Sequence, residues 1–352
     1  MVVKREGDAC PIVSATMASS RPVVATGRAE RCSRERAAPD PRRVAQSLGI
    51  PADAVSTVEV LSERHGQRLW RLGAGSRSFV LKWLPPAAAR VEVGAYRLLH
   101  FMGVPTLALL ASNEQALLLD DVERSDIWRL ANEQDAAGED VARALAAWYR
   151  TFHDAGAALV AHGVAPAYLR RESDALERAA LQAAGRRLGL DGEPGWGRAL
   201  AAVPPLRAAL ERCETTLNHN DFFWTNVALA RRGDRALVFD YHLLGIGTRA
   251  GDVRNVTSSL ATDAAEAFRE AYGPLDEAAV LLDRPLATLH ALVVAARLPA
   301  VPGWAEASLD EVRRGDLDAA VEAALPLVAN HDAPGAPLPY RRARQGMRRR
   351  GP

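Results

Sequence analysis

The sequence changes its hydrophobic period once, and that change constrains the fold most. Between residues 55 and 84 lie three runs, "VSTVEVLSE", "RLWRLGAG" and "SFVLKWL", rich in β-branched and aromatic residues and punctuated by "RHGQ" and "GAGSRS". Runs of this kind read as strands. Pro85 and Pro86 stop the third run and open a helix, "AAARVEVGAYRLLHFMG". Two further apolar runs, "TLALLAS" and "QALLLDD", read as a hairpin. Five strands and one helix are therefore expected by about residue 121. Beyond that point the period becomes helical, as in the spacing of Val141, Leu145, Trp148, Tyr149 and Phe152. Further helices are expected over about 166–188, 204–213, 262–272, 276–282, 284–298 and 308–328. A short hairpin, "VALARRGDRALVFDY", turns at Gly233-Asp234. The expected class is α+β with two lobes: a five-stranded antiparallel lobe over 45–121 and a mainly helical lobe over 122–332. A cleft between two such lobes is a natural ligand site.

Composition narrows the function. The formal net charge is +1, so the chain has no bulk bias toward nucleic acid or an acidic membrane. No apolar run reaches the roughly 18 residues of a membrane helix, and "LATLHALVVAA" reads as buried helix. Three scattered cysteines make neither a zinc site nor a disulfide framework, which suits a reducing cytoplasm. Residues 1–44 read as a disordered leader ending in a short helix, and 333–352 as a disordered basic tail. Of 44 basic residues only Lys4 and Lys82 are lysines. A chain that otherwise uses arginine has kept a compact ammonium at position 82, where a planar guanidinium is no substitute.

Asparagine is scarce as well: three of the seven fall in one stretch, "LNHNDFFWTNVAL", residues 217–229. Asp221 and Asn226 stand five apart in an irregular segment that leads into a strand, and Asp240 ends the return strand "ALVFD". A hairpin brings the bases of its strands together, which places Asn226 beside Asp240 with Asp221 on the adjoining loop. Two carboxylates and an amide oxygen around one point are hard ligands that suit Mg²⁺.

The spacing H-x-D-x4-N, followed by an apolar strand ending in Asp, resembles the kinase-like phosphotransferases. The nearest likeness is to the aminoglycoside phosphotransferase and choline kinase family, carried by "HNDFFWTN", "VFDYHLLGIG" and "GTRAGDVRNV". The resemblance spans roughly 55–330 and implies a two-lobed protein-kinase-like fold that uses ATP, or another NTP, with Mg²⁺. It implies that Asp221 orients or deprotonates an acceptor hydroxyl, and that Asn226 and Asp240 hold the metal. Lys82 contacts phosphates, Glu92 aims Lys82, and the backbone of 119–123 (Leu119, Asp120 and Asp121) meets the adenine. His219 is a structural support, and Asp252 accepts backbone N–H groups of the loop. The implied partner is a small molecule bearing a hydroxyl, with no membrane partner. The acidic residues Asp263, Glu266, Glu270, Asp276 and Glu277 read as solvated helix faces or as a surface for a cationic acceptor. Phe222, Phe223 and Trp224 read as core packing ahead of substrate stacking, and His65-Gly66-Gln67 as a simple turn or a phosphate cover. There is no G-x-G-x-x-G in the first hairpin, no G-x-x-x-x-G-K-[ST] and no A-P-E segment, and Tyr241-His242 follows the metal aspartate. These departures point away from a protein kinase and toward a small-molecule kinase. The alternative is a nucleotide-binding pseudokinase; a nucleic-acid role for the arginine tail ranks below both.

Overall fold

The computed structural model describes residues 39–64, 66–232 and 234–329. The expected leader up to residue 38, the basic tail, His65 and Gly233 lie outside the described residues.

The first lobe follows its alternation. Strands β1 (Val55–Arg64), β2 (Gln67–Ala74), β3 (Arg77–Trp83), β4 (Leu109–Ser112) and β5 (Ala116–Asp120) form one sheet in the order β1-β2-β3-β5-β4. All its pairings are antiparallel. Successive strand residues point to opposite faces. Trp70, Leu72, Phe79, Leu81, Ala116 and Leu118 pack on one side with Ala45. That alanine belongs to the helix α1 (Pro41–Ser47), which Asp40 caps by accepting from the Arg42 N–H. Leu84, Leu117 and Leu119 pack on the other side against α2 (Pro86–Phe101). Lys82 follows Leu81 in the alternation and so shares the α2 face with Val80.

The second lobe is built around α3 (Glu139–Ala161), whose Trp148, Tyr149 and Phe152 are buried. Two small sheets flank it. In one, β6 (Trp128–Leu130) joins the hairpin of β9 (Val227–Ala230) and β10 (Ala236–Val238). In the other, β11 (Gly245–Gly247) runs between β7 (Arg170–Arg171), to which it is parallel, and β8 (Thr216–Asn218), to which it is antiparallel. Helices α4 (Arg178–Leu188), α5 (Pro194–Leu210), α6 (Arg249–Thr257), α7 (Thr262–Tyr272), α8 (Glu277–Arg297), α9 (Ala305–Arg314) and α10 (Asp316–Ala329) complete the lobe. A second core around Trp196, Leu206, Leu289 and Leu292 joins α5 to α8.

Several helix limits differ from expectation. The helix expected at 204–213 starts ten residues earlier, at Pro194, and runs through Pro204 and Pro205. The two expected at 276–282 and 284–298 are one, running through Pro285. Each interior proline removes one N–H donor. Continuous buried stripes, such as Trp196, Ala199, Val203 and Leu206, outweigh that loss. The helix expected at 308–328 is broken by Gly315, whose φ of 82° ends α9. Residues 166–177 form β7 and a 3-10 turn, Glu172–Ala175, and helix starts only at Arg178. Helix α8 is long and apolar enough to cross a membrane by length and composition, but most of it is buried inside this lobe.

Candidate active site

The 219–226 loop is shaped by one buried carboxylate. Asp252, on the first turn of α6, is 1% exposed. It accepts the backbone N–H groups of His219 at 2.7 Å and Asn220 at 3.0 Å, and lies 3.2 Å from His153 Nε2. The His153 Nδ1 lies 2.8 Å from the Tyr272 hydroxyl. Burial alone raises a carboxyl pKa; here the His153 bond and the loop N–H groups overcome it and hold Asp252 low. Asn220 takes a φ of 63°, a left-handed turn that Asn tolerates, and its side chain donates to the Leu243 carbonyl. His219 uses both ring nitrogens: Nδ1 accepts the Asp221 N–H at 3.3 Å and Nε2 faces the Phe239 carbonyl at 3.1 Å. This arrangement uses the neutral tautomer, and burial lowers the His219 pKa accordingly. The ring thus ties the loop to the end of β10, a structural task.

The hairpin brings its bases together. The Phe239 N–H donates to the Asn226 carbonyl at 2.9 Å, which sets Asp240 beside Asn226. The Asn226 Nδ2 donates to Asp221 Oδ2 and to the Asp221 carbonyl, both at 3.0 Å. Asp240 has a φ of 70°, so the chain turns sharply and delivers its carboxylate toward the first lobe. There Lys82 Nζ meets Asp240 Oδ1 at 2.6 Å and Glu92 Oε1 at 2.9 Å. Glu92 is fully buried on α2, one turn before Tyr96, whose ring packs edge-on against Tyr241. Burial opposes the Lys82 charge, but the two carboxylates outweigh it and hold the ammonium protonated. Asp240 is likewise kept ionised against burial by Lys82 and His242. His242 Nδ1 donates to the same Oδ1 of Asp240. Burial works against a charge on His242, and the Asp240 carboxylate overcomes it. Burial pushes Asp221 up to about 6, with His242 and Lys82 opposing and Asp240 reinforcing the shift.

Whether a metal fits can be tested on free oxygens. Asp240 directs Oδ1 to both Lys82 and His242, and Oδ2 makes no hydrogen bond among the described residues. Asn226 uses Nδ2, and its Oδ1 makes no hydrogen bond among the described residues. Two oxygens at the bases of one hairpin fit a hard cation such as Mg²⁺. Glu92, Asp240 and His242 also come within 4.8 Å of one another, but the Lys82 ammonium already bonds Glu92 and Asp240, so that group reads as an ion network.

The other expected residues sort clearly. Leu119 is buried in the first-lobe core, and Asp121 turns inward to Arg71 and Ser78 at 2.7 and 2.6 Å. Their side chains are committed, so a ligand contact from this link falls to backbone atoms; Asp120 is exposed. Phe222 is buried and packs edge-on against Trp224. Asp263, Glu266, Glu270, Asp276 and Glu277 are all exposed, and Asp276 caps α8. His153 and His242 were missed as contributors. His153 sits within the apolar stripe of α3, where nothing marks it, whereas His242 directly follows Tyr241 and was legible only as a departure. A cavity of about 1000 Å³ lies beyond the 120–122 link, lined by Arg77, Trp128 and Trp148. Asp120, Asp121 and Val122 also line it, whereas Lys82, Asp221 and Asp240 do not.

Residues 57–284 match the phosphotransferase enzyme family. The chain belongs to that family. Among solved structures, this phosphotransferase is similar to the choline kinase of Cryptosporidium parvum Iowa II, at 10% identity and a TM-score of 0.57, over 82% of this chain and 98% of that one. It is similar to a choline/ethanolamine kinase family protein from Mesorhizobium loti, at 14% identity and a TM-score of 0.56, over 81% and 97%. It is also similar to the choline kinase LicA from Streptococcus pneumoniae, at 12% identity and a TM-score of 0.52, over 75% and 94%. At these identities the likeness establishes the two-lobed kinase-like fold. No curated protein matches the sequence. The family makes the chain a phosphotransferase, and the solved structures give it a kinase-like fold.

Proposed function

We propose that this phosphotransferase moves the γ-phosphate of ATP, with Mg²⁺, to a hydroxyl of a small molecule in the cytoplasm, across a cleft between lobes 45–121 and 122–332. The observation that carries the reading is the convergence of Lys82, Glu92 and Asp240 from two lobes on the loop that bears Asp221 and Asn226. Phosphoryl transfer depends mainly on positioning and charge neutralisation. Lys82 contacts the nucleotide phosphates, and Glu92 fixes a flexible ammonium that would otherwise wander. Backbone atoms of 119–123 hold the base. Asn226 and Asp240 hold Mg²⁺, which when bound supplies positive charge beside the phosphate oxygens. Asp221 receives the acceptor hydroxyl and takes its proton, while Asn226 Nδ2 holds the Asp221 carboxylate in place. Asp252 and His219 keep the loop in this shape.

The test is ATP consumption by the full chain across a panel of hydroxyl-bearing small molecules, with Mg²⁺ or with a chelator. Turnover with at least one acceptor, lost in Asp240→Ala and on chelation, is expected. Asp240→Ala turning over every wild-type acceptor at the wild-type rate would sink the reading, and ATP binding without turnover on any acceptor would favour a pseudokinase. Asp221 must be ionised to take a proton. Its pKa is pushed up to about 6, so turnover should fall as pH drops below about 6.

A further inference from the structure

Helix α2 is held from behind as well as from in front. In front, Glu92 meets Lys82 at 2.9 Å. Gly94 comes two residues later, about 200° round the helix axis, and so stands on the opposite flank. There the ring of Tyr168, from the second lobe, lies directly on the helix backbone. A Cβ placed on Gly94 would meet Tyr168 Cζ and Oη at 2.7 Å and Cε1 at 3.0 Å. Ordinary carbon contacts start at about 3.5 Å, so any larger residue would collide with the ring. Glycine weakens a helix interior, and here its bare Cα is what lets the ring in.

Tyr168 is itself anchored. It stands in the turn between α3 and β7, which the Leu169 N–H closes onto the Pro166 carbonyl at 3.0 Å. Leu169 is buried in the main core, and Tyr168 is half-buried. Arg170, two residues on, pairs with Gly245 in β11. A Cβ placed on Gly245 would meet the Arg170 carbonyl at 2.8 Å and Asn220 Nδ2 at 3.2 Å. The segment that presents Tyr168 therefore runs against the loop that bears Asp221. The second lobe touches α2 again where Tyr96 packs edge-on against Tyr241, with 4.9 Å between ring centroids.

We propose that Tyr168 is a positioning residue, a backstop in the second lobe that keeps α2 seated so that Glu92 aims Lys82 at the nucleotide phosphates. The inference rests on the nucleotide role given above to Lys82. An ion pair to a flexible lysine stem does not by itself fix where the helix stands. Without the ring, α2 has room to withdraw from Lys82. With a methyl on Gly94, α2 is pushed off its seat. In both cases the ammonium loses its aim, while Asp252 and His219 still hold the loop of Asp221 and Asn226. The defect should therefore fall on the nucleotide and spare the acceptor.

The test pairs steady-state kinetics of the full chain, with ATP and acceptor varied separately, with hydrogen exchange of the α2 amides. Tyr168→Ala and Gly94→Ala should each lower kcat/KM for ATP about 10–10²-fold, chiefly through KM, and leave the KM for the acceptor as in wild type. Tyr168→Ala should also speed exchange over residues 91–97. Tyr168→Phe keeps the ring edge on Gly94 and should match wild type in both readouts. In the double variant the new methyl no longer meets the ring, so the two losses should not add. A wild-type KM for ATP in either alanine variant would overturn the proposal, leaving the ring as mere cover for α2. Losses that fall equally on ATP and acceptor, or that add in full, would overturn it as well. Should Tyr168→Ala fail to fold, Gly94→Ala decides. A wild-type chain that turns over no acceptor sinks the proposed function instead, and the exchange of α2 in Tyr168→Ala then decides the backstop.

Discussion

The two halves of the polar centre are built by different means. Lys82 and Glu92 stand on a regular strand and a regular helix, and each is placed by periodicity: alternation turns Lys82 toward α2, and Glu92 lies on the buried face with Tyr96 and Leu99. Asp221, Asn226 and Asp240 stand on irregular chain, two of whose residues, Asn220 and Asp240, have positive φ. No ladder holds that chain. It is held by Asp252, His219 and the base of a hairpin. A site on regular elements should lose function locally when altered, whereas a site on a tied loop should lose its fold when the tie is cut.

Cutting the tie is the largest break. Asp252→Ala leaves two buried N–H groups and His153 without their acceptor, and should cost about 3–5 kcal/mol by urea unfolding. Asp252→Asn should fare little better, because its amide can offer only one acceptor oxygen to two N–H donors. A loss under about 1 kcal/mol for Asp252→Ala would mean that the loop holds itself.

The regular half should behave in the opposite way. Lys82→Arg keeps the charge but replaces a point ammonium with a planar fork between Glu92 and Asp240. Activity should fall about 10²–10³-fold, while overpacking costs about 1–3 kcal/mol, less than cutting the tie. Steady-state kinetics beside the same urea series checks both. Wild-type activity in Lys82→Arg would remove the case for a lysine-specific role at this position.

The same contrast explains what was legible from sequence. Strands β1 to β3 and helix α2 lie close to their expected limits, because alternation and Pro85-Pro86 are local signals. Helix α7 matches 262–272, with its apolar stripe intact. The missed strands are only two or three residues long and their partners are remote: Gly245 pairs with Asn218 across the whole β9-β10 hairpin. Helix α6 was missed because "RAGDVRNVT" carries polar residues all round, and is buried by its place under the loop. Pro204, Pro205 and Pro285 misled because local propensity was set against packing that only the tertiary structure supplies. Within the site, Asp221, Asn226 and Asp240 were visible as one spacing pattern, whereas the bonds of His153 and His242 depend on contacts with Asp252, 99 residues away, and with the turned carboxylate of Asp240.

The smallest break tests the loop's own conformation. Asn220 combines a left-handed φ with a hydrogen bond to the Leu243 carbonyl. Asn220→Gly loses the bond but accepts the φ freely, whereas Asn220→Ala loses the bond and also strains the backbone. Both lose the same hydrogen bond, so that term cancels between them. Asn220→Ala should therefore be less stable than Asn220→Gly by about 1–2 kcal/mol in urea unfolding. Asp221 is the next residue, so the same order should hold for turnover if the turn is what aims its carboxylate. Equal stability of the two variants would show that the turn is not strained, and that Asp252 alone sets the loop.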